Sequence, residues 1–255
     1  MFAEDKGETM DLKRDFNNVL KCLNNDPRGI FCSEYDRAFL ENINLYFSNL
    51  KSAIKRPDAY SVRENSILLL EHFQFDNSQT TRKGSLQNIA SAETKRTFEK
   101  KFNNGTDFAI VGENVIKTGK CYIENFTKQF SNHAENIENY KLDIQNELGL
   151  SFDSFIIGFV IEDSSPLGSI YLDKFVPKSI DLTFSKEFLD LFETTPNLDF
   201  VIFAMTGNQD NKILSFISRN SIEEHRKQQI EISNIDHFLF ENSFCASGIV
   251  KFNAN

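Results

Sequence analysis

The sequence lacks the features of membrane-spanning, secreted and zinc-binding proteins. No apolar run approaches the roughly 18 uninterrupted residues that a membrane helix needs, so we predict no membrane span. The first residues, MFAEDKGETMDLKRDF, do not have the basic and then apolar pattern of a secretory signal. Cysteines are few and far apart, without a Cys-x-x-Cys or Cys/His cluster: Cys22, Cys32, Cys121 and Cys245. This usage predicts reduced thiols in a cytoplasmic protein and argues against structural zinc.

Common catalytic signatures are missing as well. The chain contains no Walker A sequence, no GxGxxG after a predicted strand, no GxSxG and no HExxH. It also has no internal repeat and no linker rich in Gly, Ser or Pro. We therefore predict a single domain over residues 1–255, in which the polar residues 1–9 are disordered.

The sequence does contain enough apolar side chains for a large core. Its 255 residues include 26 phenylalanines, and 40% of all residues are hydrophobic. This composition excludes a collagen-like, low-complexity or wholly disordered chain. Helical and strand patterns alternate along the sequence, which predicts an α/β or α+β fold with a mixed central sheet flanked by helices.

Hydrophobic periodicity and turn residues locate the elements of this fold. Apolar residues at three- and four-residue spacing, with Ser33 and Ser91 as caps, predict helices at about 10–23, 34–55, 92–102, 122–148, 185–193 and 222–230. Shorter apolar runs predict strands at about 58–62, 66–76, 107–116, 152–163, 199–205 and 212–217, of which the last two form a hairpin. Residues 77–91 are a polar loop of a length that is usually functional or disordered.

The charge of the chain is unevenly distributed. The net charge is -9, but residues 51–101 contain ten basic and six acidic residues, which makes this segment +4 and the remainder -13. Four basic residues in the polar loop and the helix after it are suited to phosphate contacts: Arg82, Lys83, Arg96 and Lys100. This pattern predicts a local binding site for DNA or RNA, and the alternative is an ordinary solvated helix face.

Two carboxylates are placed where they can converge on one ion. Pro57-Asp58 begins a predicted strand, and Glu71 lies deep in the next one, within LLLEHF. A turn joins the two strands, so side chains can meet across the pair. Oxygen ligands of this kind suit Mg²⁺, which activates water and stabilises charge on a phosphodiester. Burying Glu71 in an apolar strand is also costly unless it is paired or bound to a metal.

These residues resemble the PD-(D/E)xK nuclease superfamily, which has the restriction-endonuclease-like fold. The resemblance rests on a helix, then Pro-Asp, then about a dozen residues, and then an acid in an apolar strand. It covers residues 34–76 and extends loosely over a core of about 34–205. It implies Mg²⁺-dependent or Mn²⁺-dependent cleavage of phosphodiester bonds, as in defence against foreign DNA. Asp58 and Glu71 would hold the metal, and Glu41 on the preceding helix would assist.

The chain departs from this motif at one position. A lysine that polarises the attacking water is expected two residues after the second acid, where this sequence has Phe73. Lys83, in the loop that follows, or Lys95 is a candidate replacement. The alternative is a non-catalytic interaction protein that keeps the nuclease-like fold and binds a protein partner or a second copy of itself, as a homodimer.

The other side of the same strand offers a second candidate site. Alternation along a strand places His72, Gln74 and Asp76 together. With Glu162 and Asp163, at the end of the predicted strand FIIGFVIED, they would form a metal or ligand site. The alternative is that this row is the solvent-exposed side of a half-buried strand.

Overall fold

The structure, a computed structural model, describes residues 30–76, 80–81, 84–85, 89, 92–93, 96–97, 100, 119–163, 170–173, 176–178, 181–206 and 212–234. By its contacts the chain divides into two compact units. The first unit comprises 1–74, 129–164 and 181–230, and the second comprises 75–128, 165–180 and 231–255. The single domain over 1–255 stays a prediction. Outside the described residues lie the predictions for 1–9, 10–23 and 107–116.

A mixed seven-stranded sheet forms the centre of the first unit. Numbered along the whole chain, the strands are β1 (Ile30–Phe31), β2 (Lys51–Ser52), β3 (Ala59–Arg63), β4 (Ser66–Phe75), β5 (Thr80–Thr81), β6 (Gly84–Ser85), β7 (Ser154–Asp163), β8 (Ile170–Asp173), β9 (Val176–Lys178), β10 (Phe200–Thr206) and β11 (Lys212–Ser218). Their order in the large sheet is β1-β11-β10-β7-β4-β3-β2. Neighbours β1–β11 and β10–β7 are parallel, whereas β10–β11, β3–β4 and β2–β3 are antiparallel. The predicted α/β fold with a mixed central sheet is confirmed.

Strand β4 pairs with β7 through contacts at both ends. Ser154 Oγ donates to Ser66 Oγ at 2.6 Å, and Gln74 Nε2 donates to Glu162 Oε2 at 2.9 Å. Because the partners advance together along the chain, the two strands run in the same direction. A parallel pair needs a long crossover connection. The chain between β4 and β7 contains helices α2 (Gly119–Ala134) and α3 (Ile137–Leu148).

Helix α1 (Glu34–Phe47) covers one face of the sheet. Ser33 caps its first turn, because its Oγ accepts a hydrogen bond from the Asp36 backbone N–H at 3.2 Å. The apolar side of α1, Leu40, Ile43 and Phe47, belongs to one core cluster with alternate residues of the central strands. Those strand residues are Leu68, Leu70, Val160, Phe200, Ile202 and Phe216. This is the face that the three- and four-residue spacing predicts.

The prediction that α1 continues to about residue 55 is wrong. The helix ends at Phe47, and Lys51–Ser52 form strand β2 against β3. Ile54, whose spacing fits the helix, is 86% exposed. The spacing rule includes every apolar residue, whether or not the fold buries it. Because Ile54 fits the spacing but is exposed, the rule placed the end of the helix too late in the chain.

Helices α2 and α3 replace the single helix predicted over 122–148. The Asn136 side-chain amide donates to the Asn132 carbonyl at 2.7 Å, and its own carbonyl accepts from the Tyr140 N–H at 3.0 Å. An asparagine that bonds the backbone locally competes with the helical ladder, which accounts for the break at this point. The predicted end of α3 is confirmed, since Gly149 adopts the left-handed conformation, φ 64°, that glycine accommodates without strain.

Phenylalanines fill the space under the C-terminal part of α2. Phe130 packs edge-on against Phe159 of β7, with ring centroids 5.5 Å apart. It also meets Phe188 of α4 (Lys186–Thr194), which packs edge-on against Phe203 of β10 at 4.9 Å. These four rings are buried, so this face of the first unit is held by aromatic packing. The remaining helix, α5 (Ile222–Arg226), is shorter than the 222–230 predicted.

The second unit is described in smaller pieces. It contains the two-stranded pairs β5–β6 and β8–β9, and helical residues at 89, 92–93, 96–97 and 100. Phe75 packs edge-on against Tyr122 and Phe126 of α2, with centroids 5.0 Å and 5.4 Å away. Among the helices of the described ranges, none combines the length and apolarity that crossing a membrane requires.

Candidate functional site

The two acids of the Pro-Asp motif lie opposite each other at the β3–β4 hairpin. The observed register pairs Ala59 with Leu70 and Arg63 with Ser66, and extending it by one residue places Asp58 opposite Glu71. Leu70 belongs to the core cluster under α1. Because side chains alternate along a strand, Glu71 points to the other face, toward α2 and α3.

Glu71 is buried and held by two side chains from these helices. Its side chain is 8% exposed. The Tyr140 hydroxyl donates to Glu71 Oε1 at 3.1 Å, and His133 Nδ1 lies 3.0 Å from the same oxygen. His133 Nδ1 is also 3.3 Å from the Tyr140 hydroxyl. The hydroxyl of Tyr140 stays protonated, because burial and the adjacent Glu71 carboxylate both raise its pKa.

Asp58 is the more accessible of the two acids, but its carboxylate is tied to the neighbouring strand. Asp58 Oδ2 accepts a hydrogen bond from the His72 backbone N–H at 2.8 Å. The residue as a whole is exposed, while the carboxylate group itself lies against β4. Burial of this carboxylate raises the pKa of Asp58, and the charge of Glu71 raises it further. The two acids therefore repel each other across the hairpin.

Each of the two acids keeps one oxygen uncommitted. Asp58 Oδ1 and Glu71 Oε2 accept no hydrogen bond from any residue that the structure describes. Two carboxylate oxygens fit Mg²⁺, which binds through one or two carboxylates and completes its shell with waters and phosphate oxygens. No group of three or more His, Cys, Asp or Glu that could hold a metal occurs within the described ranges. A cation at this position would therefore rely on the two acids and on water.

Phe73 stands on the same side of β4 as Glu71, and His133 covers it. The two rings are stacked, with centroids 4.4 Å apart and planes 8° apart. The imidazole thus lies over the position where the motif expects a lysine. Lys83 and Lys95, the predicted replacements, are outside the described residues.

Glu41 is not part of this group of residues. It lies on the exposed side of α1, and the buried side of α1 packs against Leu68 and Leu70, on the opposite face of the sheet from Glu71. The structure therefore does not bring Glu41 close to Asp58 and Glu71. The order along the chain, a helix, then Pro57-Asp58, then Glu71 in an apolar strand, is the order of the motif. A helix that can bury only one side turns its acidic side to solvent.

In the second candidate group on β4, His72 and Asp76 are buried and Gln74 is half-buried, so the interpretation of this group as a solvent-exposed face is wrong. The side chains of His72 and Glu162 are 3% and 4% exposed, and His72 Nε2 lies 3.2 Å from Glu162 Oε2. Asp76 is buried at the end of β4, and its carbonyl accepts from Asn125 Nδ2 at 2.9 Å. Alternation along β7 puts Asp163 on the other face from Glu162. Glu162, rather than Asp163, therefore partners His72.

A further buried charge network escaped the sequence patterns. Asp36 is fully buried, its Oδ1 accepting from the Ser218 N–H and the Ser221 hydroxyl at 2.7 Å each. His225 Nε2 lies 3.4 Å from Asp36 Oδ2, and its Nδ1 is 2.9 Å from the Thr183 carbonyl oxygen. All of these groups are buried and lie in contact with one another, which indicates a structural role for this network.

The predicted nucleic-acid residues are only partly described. Arg96 and Lys100 are helical and exposed, as the basic helix predicts. Arg82 and Lys83 lie outside the described residues.

Comparison with protein families, with curated proteins and with solved structures found no match for this chain. The site is therefore interpreted from its own geometry.

Proposed function

We propose that this protein is a Mg²⁺-dependent nuclease-like enzyme that cleaves phosphodiester bonds and holds its metal between Asp58 and Glu71. The observation that carries the proposal is the pairing of two carboxylates across one hairpin, each with an uncommitted oxygen. Burial raises the pKa of Asp58 and the charge of Glu71 raises it further, and a divalent cation between the two carboxylates would relieve their repulsion.

The residues around the acids would keep them ready for a cation. The Tyr140 hydroxyl and His133 fix Glu71 Oε1, and the His72 N–H fixes Asp58 Oδ2. This leaves Asp58 Oδ1 and Glu71 Oε2 for an incoming ion. Bound Mg²⁺ or Mn²⁺ would lower the pKa of water and stabilise charge on a phosphodiester.

The proposal keeps the likeness to the PD-(D/E)xK superfamily and the biology that it implies. Supporting it are a helix, Pro57-Asp58 and an acidic residue in an apolar strand, in that order along the chain. DNA or RNA would be the substrate, defence against foreign DNA the role, and the cytoplasm the location.

A second candidate function is a non-catalytic interaction protein. Phe73 favours it, because an apolar ring replaces the lysine that the motif uses on the attacking water. Such a protein would keep the fold and bind a protein partner or a second copy of itself, without turnover.

Cleavage and metal binding together test the proposal. Purified protein is incubated with plasmid DNA, single-stranded DNA and RNA in Mg²⁺ or Mn²⁺, and Mn²⁺ binding is measured by calorimetry. We expect wild type to cleave at least one substrate, and Asp58→Asn and Glu71→Gln to lose both cleavage and Mn²⁺ binding. Glu64→Gln, which changes an exposed acid of the same hairpin, is the matched control and should behave as wild type. Wild type that neither cleaves nor binds Mn²⁺ overturns the proposal.

A further inference from the structure

We propose that Tyr140 makes this site selective for Mg²⁺ and Mn²⁺ over Ca²⁺, because its hydroxyl leaves Glu71 only one oxygen for a cation. The inference rests on the metal site of the proposed function and deepens it, from the presence of a cation to the choice of cation. It concerns binding alone and assigns no residue to the attack on phosphorus. The hydrogen bonds of the two acids, the burial of Tyr140 and the ligand preferences of the cations support it.

Glu71 has one carboxylate oxygen that is occupied and one that is not. The Tyr140 hydroxyl donates to Oε1 at 3.1 Å, and His133 Nδ1 lies 3.0 Å from the same atom. Oε2 accepts no hydrogen bond from the residues that the structure describes, although the side chain is only 8% exposed. A buried carboxylate oxygen without a donor calls for a ligand. A cation bound here would contact Glu71 through Oε2 alone.

Asp58 is restricted in the same way. Its Oδ2 accepts a hydrogen bond from the His72 backbone N–H at 2.8 Å, and its Oδ1 has no donor within the described ranges. Because the donor to Oδ2 belongs to the main chain of β4, this restriction is fixed by the strand pairing. Each acid therefore offers one oxygen, and only at Glu71 is that number set by side chains.

The number of protein oxygens determines which cation the site prefers. Ca²⁺ takes about six to eight oxygen ligands, among them bidentate carboxylates, at about 2.3–2.6 Å. Mg²⁺ requires a near-ideal octahedron, keeps several waters and uses only one or two carboxylates. Two acids that each bind through one oxygen supply what Mg²⁺ requires and fewer ligands than Ca²⁺ prefers. A donor that stays on Glu71 Oε1 therefore disfavours Ca²⁺.

Tyr140 is held firmly enough to impose this restriction. The residue is 1% exposed and is among the largest fully buried side chains. It lies on the buried side of α3, together with Ile137 and Ile144. A mobile donor would give up Oε1 to any cation, whereas a packed one keeps its place. His133 also reaches Oε1, but its side chain is 25% exposed and has more room to turn away.

Tyr140→Phe tests the selectivity without removing a metal ligand, because phenylalanine keeps the buried ring and deletes only the hydroxyl. Bound Mn²⁺ is measured by electron paramagnetic resonance, and Mg²⁺ or Ca²⁺ is added to displace it. We expect Mg²⁺ to displace Mn²⁺ from wild type at a lower concentration than Ca²⁺ does. In Tyr140→Phe the ratio of the Ca²⁺ and Mg²⁺ dissociation constants should fall about tenfold, the effect of one hydrogen bond to a charged group on an equilibrium.

Two further variants serve as controls. Tyr46→Phe removes a tyrosine hydroxyl from α1, which covers the opposite face of the sheet, and should keep the wild-type ratio. Tyr140→Phe/His133→Phe frees Oε1 of both side chains while a phenyl ring keeps the stacking position on Phe73, and should lower the ratio further.

Infrared difference spectra provide a second measurement. A carboxylate that binds a cation through both oxygens has a smaller separation between its two stretching bands than one that binds through a single oxygen. We expect Ca²⁺ to produce the smaller separation in Tyr140→Phe, and Mg²⁺ to produce the larger one in both wild type and the variant.

The outcomes separate this inference from the proposed function. Wild type that binds no Mn²⁺ overturns the metal site and the selectivity with it. Wild type that binds Ca²⁺ as tightly as Mg²⁺ overturns only the selectivity, and so does an unchanged ratio in Tyr140→Phe, even where the variant binds both cations more tightly or more weakly. Selective Mg²⁺ binding without cleavage of any nucleic acid overturns the nuclease and supports the role of Tyr140.

Discussion

The carboxylate of Asp58 is more costly to ionise in the folded chain than in the unfolded one. Burial and the charge of Glu71 raise its pKa above the ordinary 3.8. The folded protein therefore holds this proton more tightly, so Asp58 favours folding below pH 3.8 and loses that contribution as the pH rises through the raised value. At neutral pH the whole penalty is present. A cation between Asp58 and Glu71 removes the repulsion that produces part of it.

We expect Asp58→Asn to stabilise the metal-free protein at pH 7. Asparagine keeps an oxygen for the His72 N–H but removes one of two like charges across a strand pair, worth about 0.2–1 kcal/mol. At 100 times its Kd, Mg²⁺ should increase the free energy of unfolding of wild type by about 2.7 kcal/mol and therefore raise its melting temperature. It should not stabilise Asp58→Asn. Thermal melts with and without Mg²⁺ measure both effects. A variant that Mg²⁺ stabilises as much as wild type would remove Asp58 from the metal site.

Asp36 affects stability in the opposite direction. Its burial alone would raise its pKa, but hydrogen bonds from four partners outweigh burial and hold the pKa below 3.8: His225, Ser33, Ser221 and Ser218. The stability that Asp36 contributes is therefore present above pH 3.8 and is lost as the pH falls through its lowered pKa. The network thus predicts a loss of stability as the pH falls below 3.8.

Variants of the Asp36 network should lose stability at neutral pH. Asp36→Asn removes the charged acceptor of the hydrogen bonds from Ser33, Ser218 and Ser221, so we expect a loss larger than that of one hydrogen bond to a charged group, about 1.5–3 kcal/mol. Ser221→Ala removes only one hydrogen bond to the carboxylate and should cost about 1.5–3 kcal/mol, so it stays measurable if Asp36→Asn does not fold. Urea unfolding at pH 7 and at pH 3 measures these losses. Equal stability of wild type and Ser221→Ala at pH 7 would contradict the assignment.

At the scale of elements, a glycine in strand β7 allows a buried phenyl ring of the neighbouring strand to pack directly against the backbone. Gly158 pairs with Phe200 of β10, and a Cβ built on Gly158 would lie 2.1 Å from the Phe200 ring. Phe200 is fully buried in the cluster under α1, stacked on Phe216 at 5.5 Å. It therefore has little room to move aside.

Gly158→Ala should destabilise the sheet despite the better strand propensity of alanine. Forcing one methyl into a packed core typically costs about 1–3 kcal/mol. Gly149→Ala is an informative comparison, because no atom lies within 4 Å of its built Cβ and only the backbone, φ 64°, resists the change. We expect the double variant Gly158→Ala/Phe200→Leu to recover part of the loss, since leucine vacates space that the phenyl ring fills. Urea unfolding of the three variants decides this, and a Gly158→Ala protein as stable as wild type would contradict the packing.

The pairing of Asp58 with Glu71 was predictable because it is local. Fourteen residues separate Asp58 from His72, a turn lies between them, and alternation fixes which side chains share a face. The same alternation predicted His72 and Gln74 as neighbours. It could not tell that this row is buried, because burial depends on α1 and β7, which lie elsewhere in the chain.

The other half of the site was not predictable from patterns. His133 and Tyr140 reach Glu71 across 62 and 69 residues, through a crossover that no spacing rule describes. On the sequence they are two polar positions of a long amphipathic helix. The break at Asn136, which separates them onto α2 and α3, is set by a local side-chain hydrogen bond that competes with the helix.

On the scale of the whole molecule, net charge opposes binding to nucleic acid. The chain carries -9 overall, so in the proposed nuclease the basic segment would have to attract DNA against repulsion from the remainder. Such an arrangement would restrict contact to a few phosphates. It would also make the affinity depend on salt through those few contacts and not through the total charge.

Replacing the two exposed basic residues of this segment by neutral ones tests whether they contact phosphates. We expect Arg96→Gln/Lys100→Gln to weaken binding of duplex DNA equally for unrelated sequences, and to reduce the slope of log affinity against log salt by about 0.9 per lost phosphate contact. Lys120→Gln/Lys227→Gln makes the same change in net charge at two other exposed lysines and should leave that slope unchanged. Fluorescence anisotropy over a salt series measures both. Equal effects of the two double variants would mean that only net charge matters, and no DNA or RNA binding by wild type would favour the non-catalytic interaction protein.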